Sequence, residues 1–99
     1  MDSFVALSQE SRPKLPPGIR LRHDRRSGQF VLLAPERGLA LNESAAEIIR
    51  RCTGALSVEE ITAELLRAHR DLPLAELEPQ VFQFLQLLIE RGLLTVDES

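Results

Sequence analysis

The sequence predicts one small α+β domain in which a three-stranded antiparallel meander is followed by three helices. Three observations support this prediction. Apolar residues repeat with a period near two before Asn42 and near 3.6 after it, turn-forming residues divide the first part into short segments, and capping residues divide the second part. With 99 residues, of which 43% are hydrophobic, the chain is long enough for a single core.

The first part of the chain has the pattern of three short strands. Residues 19–23 alternate between apolar and polar side chains, as a half-buried strand does. Residues 24–28, which end in glycine, have the composition of a hairpin loop. Residues 29–34 are apolar on both faces and therefore suit the middle strand. Residues 35–38 predict a second turn, and residues 39–41 predict a short third strand at the edge of the meander.

Two helices are predicted next. The first begins after a cap at Asn42 or Ser44 and ends at Gly54. Its apolar positions, at the spacing of one helix face, are Ala45, Ile48, Ile49 and Cys52. Ser57 and Glu60 have the spacing of a capping box, which predicts the start of the second helix. The buried face predicted for that helix consists of Val58, Ile61, Thr62 and Leu65, and the helix ends near His69 or Arg70.

The third predicted helix begins near Glu78 and Pro79 and is closed by Gly92. At about 100° per residue, its apolar side chains cover an arc of roughly 160°, which is wide enough for both a core and an adjoining groove. These side chains are Val81, Phe82, Phe84, Leu85, Leu88 and Ile89. Leu87 falls on the polar side, either as a partner contact or as a lone exposed leucine.

Residues 1–17 are predicted to be a flexible N-terminal tail, and residues 18–97 the folded domain. Pro13, Pro16 and Pro17 remove amide donors and disfavour helix in the tail. No segment approaches the roughly 20 apolar residues of a membrane span, and the first residues lack the features of a signal peptide. The expected location is therefore the cytoplasm.

Charge is distributed unevenly in this chain, whose net charge is −3. Residues 1–40 carry seven bases and four acids, whereas residues 41–99 carry five bases and eleven acids. This division fits a protein that steers charged partners, or simply two solvated surfaces. Nucleic-acid binding is disfavoured, because the last helix presents acids and glutamines before Arg91 and the chain has only four aromatic residues.

No catalytic or metal-binding constellation can be recognised. Cys52 lies on the apolar face of the first helix, where a structural role is expected. His23 and His69, with one cysteine, make no metal-ligand pattern, and glycine-rich phosphate loops are absent. The sequence therefore predicts no enzyme activity, no cofactor and no metal.

With no catalytic or metal site recognised, the remaining candidate site is a sheet edge beside a helix. The unpaired amides and carbonyls of the third strand can be satisfied by a peptide that adds as a further strand. The N-terminal tail can equally cover them, and the periodicity does not distinguish the two.

One long segment, LLAPERGLALNESAAEIIRRCTG, together with the later VEEI, resembles the pyrroloquinoline quinone biosynthesis protein D (PqqD) family. The segment contains a turn, a strand end, a helix cap and a helix face in the same order as the family pattern. The similarity extends from residue 13 to about residue 95. Thr53, at the end of a helix, stands where the family often has an acidic residue.

The resemblance implies a winged helix-turn-helix-like fold that binds a peptide and catalyses nothing itself. It implies that the peptide is the ribosomal precursor PqqA, presented to the radical S-adenosylmethionine enzyme PqqE, which cross-links a Glu and a Tyr of that peptide. The implied peptide site consists of Gly38, Leu39, Ala40, Leu41, Asn42, Val81, Phe82, Phe84, Leu85, Leu88 and Ile89. A winged-helix transcription regulator is the alternative function, and the oligomeric state, monomer or homodimer, is left open.

Overall fold

The computed structural model describes residues 7–97, and it confirms the predicted α+β class. The elements are, in chain order, β1 (Arg12–Lys14), β2 (Arg20–His23), β3 (Phe30–Ala34), β4 (Arg37–Leu41), α1 (Glu43–Arg50), α2 (Val58–Ala68), α3 (Leu74–Glu90) and β5 (Thr95–Asp97). The predicted meander is the antiparallel sheet β2-β3-β4, and the three helices follow it. No helix within residues 7–97 is long and apolar enough to cross a membrane.

One face of the three-stranded sheet packs on the helices. Leu32, in the middle of β3, is 1% exposed, and Leu41, at the end of β4, is 8% exposed. The helical residues that share this core are Ile48, Ile49, Val58, Ile61, Leu65, Val81, Leu85 and Leu88. Cys52 also belongs to the core but follows α1, because that helix ends at Arg50 and not at the predicted Gly54. The predicted apolar face of the second helix is thus confirmed, and Thr62 is buried with it.

The turn between β3 and β4 is shorter than predicted. Only Pro35 and Glu36 separate the strands, because Ala34 already pairs with Arg37. The two residues after the turn therefore belong to β4. Proline fixes φ at about −65°, which suits the first central position of a tight turn. Two residues therefore suffice to reverse the chain.

The structure differs from the predicted tail in residues 7–17. Arg12–Lys14 pairs as β1 with β5, in a second sheet that the sequence did not reveal. The carbonyl oxygen of Pro13 accepts a hydrogen bond from the amide of Gly54 at 3.0 Å, and the Pro13 side chain is buried. Proline is tolerated here because an edge strand needs no donor on its outer side. Residues 1–6 of the predicted tail lie outside the described residues.

The same N-terminal segment also covers the start of α2. The amide of Val58 donates to the carbonyl oxygen of Ser11 at 2.9 Å, and the amide of Glu59 donates to that of Gln9 at 3.0 Å. These bonds satisfy amides that a helix start otherwise leaves without partners. Residues 9–14 are therefore part of the folded domain.

Both predicted helix caps are confirmed. Oδ1 of Asn42 accepts from the amide of Ala45 at 2.8 Å at the start of α1. At the start of α2, Oγ of Ser57 accepts from the amide of Glu60 at 3.1 Å, and the Glu60 carboxylate accepts from the amide of Ser57 at 2.8 Å. That bond from the Ser57 amide lowers the pKa of Glu60 below its ordinary value, so the carboxylate stays charged beside the positive end of the helix.

The third helix begins earlier than predicted. It starts at Leu74, after Pro73, and contains Pro79 instead of beginning there. Proline at this position leaves the carbonyl of Ala75 without its usual donor. Ala75 is exposed, so water can satisfy that carbonyl, and the helix continues through the proline.

The third helix ends at Glu90, and Gly92 closes it as predicted. Gly92 has φ +75°, a left-handed conformation that favours glycine. The amide of Leu93 donates to the carbonyl oxygen of Leu88 at 2.9 Å, and the amide of Gly92 donates to that of Ile89 at 3.0 Å. This pair of bonds is a Schellman motif, which directs the chain back towards β5.

Replacing the cap of α2 should destabilise the domain. Ser57→Ala removes the acceptor for the Glu60 amide and should lower the free energy of unfolding by about 0.5–2 kcal/mol. Ser44→Ala is the matched control, because Ser44 is exposed in the first turn of α1 and the cap of that helix is Asn42. Urea denaturation of both variants measures the difference. Equal stability of the Ser57→Ala variant and the wild type would mean that this cap contributes nothing.

Candidate functional site

One free edge of the three-stranded sheet is β4, which pairs only with β3 among the described strands. Because a two-residue turn joins these strands, Ala34 and Arg37 exchange the first pair of backbone hydrogen bonds. Hydrogen-bonded pairs recur at every second position of an antiparallel ladder, and the next one is Leu32 with Leu39. The amide of Leu39 therefore points towards β3. The amides and carbonyls of Gly38 and Ala40 therefore point away from the sheet.

Small residues leave this edge open. Gly38 and Ala40 are both exposed, and neither has a side chain that could cover the backbone. A Cβ atom at residue 38 would lie 3.2 Å from Cγ1 of Val31, closer than an ordinary contact. Glycine inside a strand is typical of places where another backbone approaches closely.

The C-terminal end of α3 lies beside the start of β4. Nη2 of Arg37 donates to the backbone carbonyl oxygen of Arg91, the C-cap of α3, at 2.8 Å. The cation also stabilises the negative end of the helix dipole. Phe84 and Leu87 precede Arg91 by seven and four positions, so all three lie on one face of the helix. We call the outward edge of β4 together with this face of α3 the edge site.

The structure divides the predicted site residues by burial. Gly38, Ala40 and Asn42 are exposed, and Leu39, Phe82, Phe84 and Ile89 are half-buried. Leu41, Val81, Leu85 and Leu88 are buried in the core. These four residues belong to the core and offer almost no surface to a peptide.

The half-buried residues of α3 do not share one flank. Two positions rotate a helix by about 200°, so Phe82 lies on the flank opposite Phe84, and Ile89 lies with Phe82. Only Phe84 belongs to the flank that carries Arg91. Asn42 lies at the end of β4, but its side chain is occupied as the cap of α1.

Leu87 is a member of the edge site that the sequence placed only on the polar side of α3. Its side chain is 43% exposed, whereas the neighbouring Leu88 is 1% exposed. Its position one turn before Arg91 places it on the face of α3 that ends at the carbonyl contacted by Arg37 of β4. In the sequence, a lone leucine among polar helical residues was the only indication of this contact surface. The hydrogen bond between Arg37 and Arg91 shows which end of β4 this face of α3 adjoins.

A cleft of ≈ 530 Å³ adjoins the edge site beyond Asn42. Its apolar wall includes Ile48, Leu65, Leu77 and Phe84. On the polar side, Oε1 of Glu47 lies 2.7 Å from Nε2 of His69. The edge of β4 therefore leads into a space that can hold an apolar side chain of a bound peptide.

The side chains that could take part in catalysis or metal binding lie apart from one another. Cys52 is buried, its Sγ donates to the carbonyl oxygen of Ile48 at 3.3 Å, and burial raises the pKa of its thiol to about 12. His23 stacks on Phe30, with the ring centroids 4.5 Å apart. Within residues 7–97, no group of three His, Cys, Asp or Glu side chains could hold a metal ion.

Comparison with models of known protein families shows which family this chain is related to. Residues 29–94 match the family described as coenzyme PQQ synthesis protein D (PqqD). The chain belongs to the PqqD family. This confirms the resemblance carried by the segment from Leu32 to Gly54, and the matched range contains the whole edge site.

Relatives with similar sequences cover nearly the full chain. A PqqA binding protein of Xanthomonas oryzae pv. oryzae (strain KACC10331 / KXO85) is 38% identical over 89 residues, which are 90% of this chain and 96% of the relative. A PqqA binding protein of Rhodopseudomonas palustris (strain HaA2) is 40% identical over 91 residues, 92% of this chain and 88% of the relative.

Two solved PqqD structures have related folds. The NMR structure of the PqqD truncation of Methylobacterium extorquens PqqCD, a functional and stand-alone recognition element for ribosomally synthesized and post-translationally modified peptides, has a TM-score of 0.77 and 32% identity. It covers 91% of this chain, and the match includes 95% of that structure. The crystal structure of PqqD from Xanthomonas campestris has a TM-score of 0.53 and 36% identity, with coverages of 89% and 97%.

Cys52 should behave as a core residue and not as a nucleophile. Its raised pKa keeps the thiol protonated at neutral pH, so a thiol-specific reagent should label the native protein far more slowly than the urea-unfolded protein. The Cys52→Ala variant gives the background of the assay. Stoichiometric labelling of the native protein at the rate of the unfolded chain would contradict the structural role.

Proposed function

We propose that this chain binds the ribosomal precursor peptide PqqA and presents it to the radical S-adenosylmethionine enzyme PqqE, with no catalysis of its own. Relatives that are 38% and 40% identical carry the name PqqA binding protein, and one related structure is that of a peptide recognition element. The observation that carries the proposal is the outer edge of β4 beside α3, with which no strand within residues 7–97 pairs. The encounter takes place in the cytoplasm, where ribosomal peptides are made.

In the proposed complex, PqqA adds as a fourth strand beside β4. Gly38 and Ala40 each offer one outward amide and one outward carbonyl to such a strand. A net contribution of about 1 kcal/mol for each backbone hydrogen bond would give a few kcal/mol in total. This contribution does not depend on the sequence of the peptide, so selectivity must come from side chains.

Side chains of an added strand alternate between the two faces of the sheet. Those on the inner face would meet the half-buried Leu39 and Phe84 and the exposed Leu87. Covering these apolar groups stabilises the complex by about 25 cal/mol per Å² of apolar surface removed from water. The cleft beyond Asn42 provides further room for an apolar side chain.

The surface of α3 does not suit insertion into a DNA groove. Gln83 and Glu90 are exposed, and no base precedes Arg91 on this helix. Acids on a recognition helix would face the phosphates, which DNA-binding proteins neutralise with arginine or lysine. The charge of α3 therefore favours a peptide over a duplex.

Proline at Ala40 should weaken PqqA binding without unfolding the protein. Ala40→Pro removes an amide that points away from β3, so the internal ladder stays intact while one bond to the peptide is lost. A loss of about 1 kcal/mol corresponds to roughly a fivefold weaker Kd. Isothermal titration calorimetry with a synthetic PqqA peptide measures the effect.

Leu39→Pro is the matched control for that variant. It removes the amide that bonds to Leu32, so it should lower the melting temperature instead. Arg25→Ala and Arg26→Ala, in the loop between β2 and β3, should keep wild-type affinity for PqqA. Wild-type affinity in a folded Ala40→Pro protein would rule out strand addition at β4.

Adjacent leucines of α3 separate binding from stability. Leu87→Ala should weaken PqqA binding severalfold and leave the melting temperature unchanged, because the side chain is exposed in the free protein. Leu88→Ala should instead lower the free energy of unfolding by about 2–5 kcal/mol, because it leaves a cavity in the core. Calorimetric titration and thermal denaturation of both variants test this. If Leu87→Ala binds PqqA like the wild type, α3 is not the second wall of the site.

A further inference from the structure

The face of the three-stranded sheet that is turned away from the core has a distinctive composition. The pairing register places Arg20 and Arg22 of β2, Val31 and Leu33 of β3, and Gly38 and Ala40 of β4 on one side. We call these six residues the outer sheet face. The intervening Leu32 points to the other side and is buried, which identifies the outer sheet face as the solvent side.

The apolar centre of the outer sheet face is incompletely covered. Val31 and Leu33 are only partly buried, although they occupy the middle strand. The residues opposite them on β4 are glycine and alanine, which cannot shield them. Surfaces of this kind, with apolar residues next to arginine, have the composition of protein interfaces.

The charge of the outer sheet face is positive. Arg20 and Arg22 are exposed, and neither forms an ion pair with any carboxylate within residues 7–97. The nearest acid in sequence is Asp24, whose oxygens accept from the amide of Arg26 at 3.0 Å and the hydroxyl of Ser27 at 3.1 Å. The charge of Arg22 also helps to lower the pKa of Asp24, but the two side chains form no ion pair. Among residues 7–97, the guanidinium groups of Arg20 and Arg22 therefore have no carboxylate in contact.

A peptide bound at β4 would enlarge this face. In the proposed strand addition, every second side chain of PqqA points away from α3 and lies next to Gly38 and Ala40, on the outer sheet face. The chain would hold the peptide by one set of side chains and leave the other set accessible. A protein that docks on the outer sheet face would therefore contact the carrier and the peptide together.

We propose that the outer sheet face is the docking surface for a second protein, the enzyme that modifies the bound peptide, and that this partner presents carboxylates around an apolar patch. The inference rests on the proposed function, because it assigns the partner contact to the face that the added strand would extend. Carboxylates match Arg20 and Arg22, and an apolar patch matches Val31 and Leu33. A nucleic acid would satisfy the arginines but leave these two apolar residues unmatched.

The test reverses the charge of this face and measures the two binding events separately. The double variant Arg20→Glu, Arg22→Glu should bind PqqA with wild-type affinity, and its PqqA complex should bind PqqE roughly tenfold or more weakly. Binding of PqqE to the wild-type complex should weaken as NaCl is raised. The matched control is Arg67→Glu, Arg70→Glu, which changes the net charge equally at exposed positions at the end of α2 and beyond it and should bind PqqE normally.

The outcomes separate this inference from the proposed function. Unchanged PqqE affinity in the Arg20→Glu, Arg22→Glu variant, with PqqA still bound, overturns the docking surface and leaves the peptide site standing. A changed sedimentation coefficient of that variant without loss of PqqE binding overturns it too, since the face would then join two copies of this chain. Failure of the wild type to bind PqqA contradicts the proposed function and with it this inference.

Discussion

The register between β3 and β4 is the constraint on which the rest of the structure depends. The two-residue turn at Pro35 and Glu36 pairs Ala34 with Arg37 and thereby sets the whole ladder. Because side chains alternate along a strand, a shift of one residue would exchange the two faces of β4. Leu41 would then leave the core, and the outward amides would belong to different residues.

The same strand therefore contributes to the core and, in the proposed complex, to peptide recognition. Leu41 contributes to the core from the inner face of β4, while the backbone groups of Gly38 and Ala40 point outward, where no described strand pairs with them. The helix beside it is held in place by the buried Val81, Leu85 and Leu88, and its end is attached to β4 through Arg37 and the carbonyl of Arg91.

Local patterns were sufficient to predict most of the fold. The capping box at Ser57, the cap at Asn42 and the change of period between strands and helices all depend on residues within one turn of each other. The β1–β5 sheet could not be predicted in this way, because its strands are short and lie near opposite ends of the chain. The early start of α3 was missed because Pro79 suggested a first turn, whereas solvent exposure lets the helix continue through it.

The site was predictable only in part. Alternation and strand order indicated an edge beside a helix, and the family resemblance supplied the peptide. Which flank of α3 faces β4 depends on the contact between Arg37 and Arg91, residues more than 50 positions apart, so Phe84 could not be separated from Phe82 beforehand. The position of Leu87 followed only from that contact.

Amide hydrogen exchange, followed by NMR on the ¹⁵N-labelled protein with and without PqqA, tests strand addition at β4 most directly. In the free protein, the amide of Leu39 should already be protected, while those of Gly38 and Ala40 should exchange rapidly. Saturation with PqqA should slow exchange at Gly38 and Ala40. Unchanged exchange at these two residues, with peptide-induced shifts confined to residues 20–28, would contradict the account.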